Sequence, residues 1–149
     1  MVMEKWKCNA LWDIVSHLAN NPDARHEVAS AARLASHAAN AGDPVAIGIY
    51  EYAAMEMFHQ TKTIVEKFRS EWNKTVVITG GAWKGCRVML ERFREEICRE
   101  YPGAIVLTPA FEPVVGCVVL RCLRDGMSMD EIRSRLTPEF SEFKTNYDI

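Results

Sequence analysis

The sequence predicts an α/β fold: a predominantly helical unit carrying a small parallel sheet. Three observations lead there. Segments with apolar residues at helical spacing occupy most of the 149 residues. Only two short β-favouring runs stand out, "KTVVITGG" near residues 74–81 and "AIVLT" at 104–108. An amphipathic segment lies between them, and a strand–helix–strand order implies a parallel pair with a right-handed crossover.

The elements follow in chain order. "ALWDIVSHLA" (10–19) has Leu11, Ile14, Val15 and Leu18 at helical period. A second helix is expected from Asn21 as N-cap and Pro22 as first helical residue to a left-handed stop at Gly42. Its inner face is Val28, Ala32 and Ala35, with Ala31 and Ala38 beside them. Asp43-Pro44 repeats the cap-plus-proline signal and opens a helix toward Trp72, roughly 40 Å long at the helical rise. Ile47, Ile49, Tyr50, Ala54, Met57, Phe58, Thr61, Ile64, Val65 and Phe68 give it a broad apolar stripe. The first strand's unbroken apolar run suits burial on both faces. In "CRVMLERFREEICREY", Val88, Met89, Phe93, Ile97 and Tyr101 point inward and "ERFREEICRE" supplies a solvated face with i,i+4 pairs. Pro102-Gly103 ends that helix before the second strand. Another helix starts after Pro113 and stops at Gly126. Ser128 and Glu131 fit a capping box for a short helix to about Leu136, and "TPEFSEFKTNYDI" is expected as an exposed or loosely docked tail.

Composition narrows the classes. Hydrophobic residues at 48% and charged residues at 26% are globular values. A formal charge of −2 gives no electrostatic case for nucleic acid or an anionic membrane. No apolar run approaches the ~18 residues of a membrane span. The opening MVMEKWKCNALWDIV does not read as a signal peptide, and five cysteines in such a chain fit reduced thiols in a cytoplasmic protein. Cys8, Cys86, Cys98, Cys117 and Cys122 contain no CxxC pair, and His26 and His37 lie roughly 16 Å apart along one helix, so no spacing suits a tetrahedral metal.

The chemistry-bearing stretch is "VVITGGAWKG" (76–85). It lacks the G-x-x-x-x-G-K-[ST] of a phosphate loop and the G-x-G-x-x-G of a dinucleotide fingerprint. What it offers is a strand, two glycines and a helix start. Bare backbone there can approach an anion at the carboxyl end of a parallel strand. A tight turn with no ligand fits the same residues.

Taken together, "AGDPVAIGIYEYAAMEM", "VVITGGAWKGCRVMLERFREEI" and "PGAIVLTPAFEPVVGCVVLRCL" resemble the C-terminal part of the N-acetylglucosamine kinase / BadF-type ATPase family. That family lies in the actin–hexokinase superfamily, with its ribonuclease H-like fold. The resemblance runs from about Leu11 to Gly126, so residues 1–126 are expected as the C-terminal lobe of an actin-like ATPase domain and 127–149 as a short helix and tail. It implies that Gly80 and Gly81 lie against a nucleotide, with Ala82, Trp83 and Lys84 as neighbours. Pro113 to Gly116 would open a last helix beside the same cleft, with Cys117 where the family usually has alanine. Lys84 would reach a phosphate or solvent, Trp83 would stack on adenine or pack on the domain, and Glu112 would line the cleft or be solvated.

The family's DGGxT phosphate loop, its second phosphate loop and its catalytic aspartate find no match here; Asp13, Asp23, Asp43, Asp125, Asp130 and Asp148 sit in caps, helices or the tail. The resemblance therefore implies an ATP-binding lobe, using ATP with Mg2+ in a complete sugar kinase or ATPase, and catalytically incomplete by itself. Its partner would be a missing N-terminal lobe or a second copy. The alternative is a non-catalytic interaction or dimerisation module. An activator with an iron–sulfur cluster between subunits, as in some relatives, has little support from the cysteine spacing.

Overall fold

The computed structural model describes residues 2–145. Seven α-helices and two strands follow in the order α1 (Val2–Lys5), α2 (Leu11–Ala19), α3 (Ala24–Asn40), α4 (Pro44–Lys67), β1 (Thr75–Val77), α5 (Arg87–Glu100), β2 (Ile105–Leu107), α6 (Pro113–Arg124) and α7 (Met129–Glu139). Single 3-10 turns occupy Gly81–Lys84 and Ser141–Phe143. The predicted α/β class and the parallel pairing hold: Thr75, Val76 and Val77 of β1 stand opposite Ile105, Val106 and Leu107 of β2.

Local chemistry sets the helix ends. Asp43 caps α4 by accepting from the amides of Val45 and Ala46 at 2.9 and 3.0 Å, with Pro44 as first helical residue. Ser128 and Glu131 form the expected capping box, and the Ser128 amide and then its hydroxyl hold the Glu131 carboxyl below its usual range. The start of α3 differs from expectation. Asn21 does not cap it; its side chain accepts from the Asp23 amide at 2.8 Å and closes a turn, so the helix begins at Ala24. α4 ends at Lys67 rather than near Trp72, which shortens it to about 36 Å.

The core forms where α4 lies on α5, the most extensive contact between helices. Tyr50, Ala54 and Phe58 of α4 meet Met89, Leu90, Phe93 and Ile97 of α5, with Ile78, Trp83, Cys86 and Ala104 closing the cluster. Val76 and Val106 pack against it from the sheet's inner face. The outer face is bare: Val77, Ile105 and Leu107 are 55%, 51% and 45% exposed. The apolar run of β1 is thus buried on one face only, because nothing among the described residues covers the other. α3 packs on α4 through Ala35, Ala38 and Ala39, whereas Val28, expected inside, is exposed. Ile49, Ile64 and Phe68 of the α4 stripe are also exposed. On α5 the charged face contains one exception. Glu96 is buried, its carboxylate gripped by Arg92 at 2.7 Å and by Arg99, one turn to either side.

α6 packs principally on α7, outside the main core, and buries Val115. The tail, expected as exposed or loosely docked, keeps Ser141, Glu142 and Lys144 exposed and is joined to the 110–112 loop through residue 145. Phe111 and Lys144 form an antiparallel bridge, the Glu112 amide donates to the Phe143 carbonyl at 2.8 Å, and the Thr145 amide donates to the Ala110 carbonyl at 3.2 Å. Residues 146–149, with Asp148, lie outside the described residues.

One contact ties the glycine turn to the helices behind it. A methyl group added at Gly85 would sit 3.0 Å from the Tyr50 hydroxyl and 3.4 Å from the Ala82 carbonyl oxygen. That hydroxyl donates to the Ala32 carbonyl at 3.2 Å. We expect Gly85→Ala to lower unfolding free energy by about 1–3 kcal/mol, the usual cost of overpacking. In a Tyr50→Phe background the same substitution costs less, because the obstructing oxygen is gone; equal costs in denaturant titrations of both backgrounds would remove the clash as the cause. Burial pushes the Tyr50 phenol above its ordinary 10.0, with the Ser36 hydrogen bond opposing. A raised folded pKa contributes stability that is complete below pH 10 and is lost as pH climbs through the folded value, so alkaline unfolding is expected to be shallower in Tyr50→Phe.

Candidate functional site

Because β1 and β2 are parallel, their carboxyl ends open on the same side. The chain leaves β1 through Ile78, Thr79, Gly80 and Gly81, and leaves β2 through Thr108 to Glu112. These are the two segments that the sequence singles out. Gly80 has φ +103°, a backbone conformation that side chains resist, and it turns the chain into the Gly81–Lys84 3-10 turn. Gly81 differs in having no positive φ, while a Cβ there, as at Gly80, would meet nothing within 4 Å, so its backbone faces open space.

The two segments touch. The Lys84 ammonium lies 3.2 Å from the Glu112 carboxylate, with both side chains part exposed. Glu112 is the N-cap of α6 and Pro113 its first residue. The Lys84–Glu112 ion pair thus joins the glycine turn to the Pro-x-x-Gly helix start. Glu112 takes a role between the two readings open in the sequence: neither bare lining nor simply solvated, it forms an ion pair with Lys84. Gly116 is exposed on the first turn of α6, with open space at its Cα.

Trp83 points the other way. Its indole is buried against Phe93, with ring centroids 4.9 Å apart, so its side chain belongs to the core and its backbone to the turn. That burial anchors the turn from below. Ser36 anchors it from the side by donating to the Gly85 carbonyl, which the Asn40 amide also approaches at 3.5 Å.

A groove of about 420 Å³ runs along this turn, lined by Ala32, Arg33 and Ser36 of α3, Tyr50 and Ala53 of α4, Gly81, Ala82, Lys84 and Gly85 of the turn, and Met89 of α5. Apolar walls carry two cationic side chains, Arg33 and Lys84. Such a lining suits a ligand with a flat apolar part and an anionic end. A roomier depression of about 590 Å³ between the 6–8 loop and α2, lined by Trp6, Asp13 and His17 among others, opens broadly to solvent and includes no residue of either turn. Among the described residues no group of three or more His, Cys, Asp or Glu side chains is placed to hold a metal ion, and no helix is long and apolar enough to cross a membrane.

Sequence reasoning missed Gly85 and the α3 residues. The signal for Gly85 was present, since it closes the GGAWKG motif, but the reason is packing and appears only once Tyr50 is seen above it. Arg33 and Ser36 carry no motif; they reach the site because α3 folds back along α4.

Comparison with known proteins adds one relative. The chain is 26% identical over 121 residues to the N-acetylmuramic acid/N-acetylglucosamine kinase of Clostridium acetobutylicum, an alignment that covers 80% of this chain and 39% of that protein. The chain thus spans about two fifths of the length of its relative. No family model matches it, and no solved structure does. The chain is distantly similar to part of a sugar kinase.

Proposed function

We propose that the chain is the nucleotide-side C-terminal lobe of a sugar kinase or BadF-type ATPase. In this reading it binds ATP along the Gly80–Gly81 turn and is catalytically incomplete alone. The observation that carries the reading is the junction at the carboxyl ends of β1 and β2. There an open backbone at Gly81 and the Lys84 ammonium sit together at the mouth of an apolar groove. The distant likeness to a kinase points the same way.

The division of labour follows from the residues. The groove beside Ala82 and Gly85 would take the apolar ring of the nucleotide. Gly80 and Gly81 would let phosphate oxygens approach the backbone without a side chain between, and Lys84 would exchange Glu112 for a phosphate. Bound ATP, carrying Mg2+ in the complete enzyme, would supply the transferable phosphoryl group. The acceptor would be an amino sugar of the kind in the relative's name. An aligned acceptor, metal-bound phosphates and a positioned base are all needed for that transfer, and the aspartates of this chain match none of the motifs that supply them. The complete enzyme would work in the cytoplasm, where ATP is plentiful.

Gly81 offers a clean test, because its surroundings are open and its φ is not in the left-handed region. Titrating ATP into the purified chain by calorimetry should give millimolar or tighter binding. Gly81→Leu should weaken it at least tenfold while leaving the melting temperature in place. No saturable binding to the parent chain, or full binding by Gly81→Leu, would sink the proposal.

A second reading, a non-catalytic interaction or dimerisation module, draws support from the outer sheet face. Val77, Ile105 and Leu107 form an apolar patch on a sheet too small to stand alone. It requires a concentration-dependent dimer that Ile105→Lys dissociates, read by sedimentation velocity. A monomer at all concentrations would leave the lobe reading alone.

A further inference from the structure

The segment after Gly126 lies beyond the stretch that resembles a kinase, yet it returns to the candidate site. From β2 the chain passes through 108–112 into α6, turns at Gly126 into α7, and comes back as Phe140 to Thr145 along the loop it left. Four contacts close this circuit. Phe111 and Lys144 are bridged antiparallel, and the Glu112 amide donates to the Phe143 carbonyl at 2.8 Å. The Thr145 amide donates to the Ala110 carbonyl at 3.2 Å, and the Thr145 hydroxyl donates to the Pro109 carbonyl. The rings of Phe140 and Phe143 pack tilted against each other with centroids 6.1 Å apart, and Ile132 of α7 is buried.

The contacted residue is the informative point. The strap holds the backbone of Glu112, and the carboxylate of Glu112 holds Lys84 at 3.2 Å. α6 packs mainly on α7 rather than on the α4–α5 core, so the core alone does little to fix where Glu112 sits. A cap residue on a loop without such support would wander, and the part-exposed ion pair it makes with Lys84 would move with it.

We propose that residues 141–145 are a positioning strap that fixes Glu112 and, through it, the Lys84 ammonium at the nucleotide turn. The role toward a ligand rests on the ATP reading above; the positioning of Lys84 does not. Thr145 and Glu112 are positioning residues, and Lys84 is the group they place.

The test uses the full chain, a chain ending at Phe140, and the two single variants Thr145→Val and Glu112→Gln, which leave the chain length intact. Two measurements need no nucleotide. Amide hydrogen exchange should show Glu112 losing protection at least tenfold in the shortened chain and several-fold in Thr145→Val, with Ile97 in the core unchanged. Labelling with an amine-reactive probe, followed by mass spectrometry, should show Lys84 reacting several-fold faster in all three altered chains, while Lys74 keeps its rate. A merely structural role for the tail would not single out Lys84. Unchanged Glu112 exchange or unchanged Lys84 labelling overturns the strap, whatever ATP does. Where the full chain binds ATP, the Thr145→Val chain should bind it several-fold more weakly, and equal affinity would overturn positioning toward the ligand. If the full chain binds no ATP while exchange and labelling shift as stated, the nucleotide reading fails and the strap stands.

Discussion

The candidate site depends on the burial of one face of the β1–β2 pair beneath α5 and α4. Three residues per strand form too few hydrogen bonds to persist alone, so the pair exists because Val76 and Val106 close onto a cluster built from Tyr50, Phe58, Phe93 and Ile97. α5 is central to this. It is the crossover that makes the strands parallel, and its apolar stripe is the surface they rest on. Trp83 extends the same cluster into the turn, which is how an exposed, glycine-rich segment keeps a fixed shape. The site is thus held by core packing from below and by hydrogen bonds from α3 at its side.

Much of this architecture was legible because the signals were local. Asp43-Pro44, Ser128 with Glu131, and Pro113 each act through their own backbone within one turn, and each appears where the sequence puts it. The strands were legible from composition, and their parallel order from the helix between them. What failed was non-local. Val28 and Ile64 sit at helical spacing with core residues, but spacing says only which residues share a face, not whether a partner covers it. The same gap explains β1, whose apolar run describes two faces although only one is covered. Glu96 shows the converse, a charge taken from the solvated face and buried because arginines at i−4 and i+3 fold over it. Asn21 had the chemistry of a cap and used it one step early, on a turn.

The candidate site was legible in part, and the division is physical. Gly80 and Gly81 stand out because adjacent glycines after a strand have few uses. The pairing of their turn with the α6 start was not readable, since Lys84 and Glu112 are separated by a helix and a strand. The three glycines of GGAWKG also turn out to serve three ends. Gly80 takes a left-handed conformation, Gly81 leaves its backbone open, and Gly85 lets Tyr50 approach. A motif that looks like one device is a turn, an opening and a packing contact in succession.

This separation bears on how the glycine turn keeps its shape. The turn's shape is fixed by groups inside the chain: Trp83 in the core, Ser36 on the Gly85 carbonyl, Tyr50 above Gly85. None of them needs a ligand or a second lobe. The sheet, by contrast, has two strands among the described residues, with Val77, Ile105 and Leu107 bare, so its stability is borrowed from the helices on one side only. The wall that would face a nucleotide is therefore the better supported part of the fold, and the surface that would receive further strands is the less supported one. A chain built this way fixes the glycine turn through its own packing while one apolar face of the sheet stays exposed.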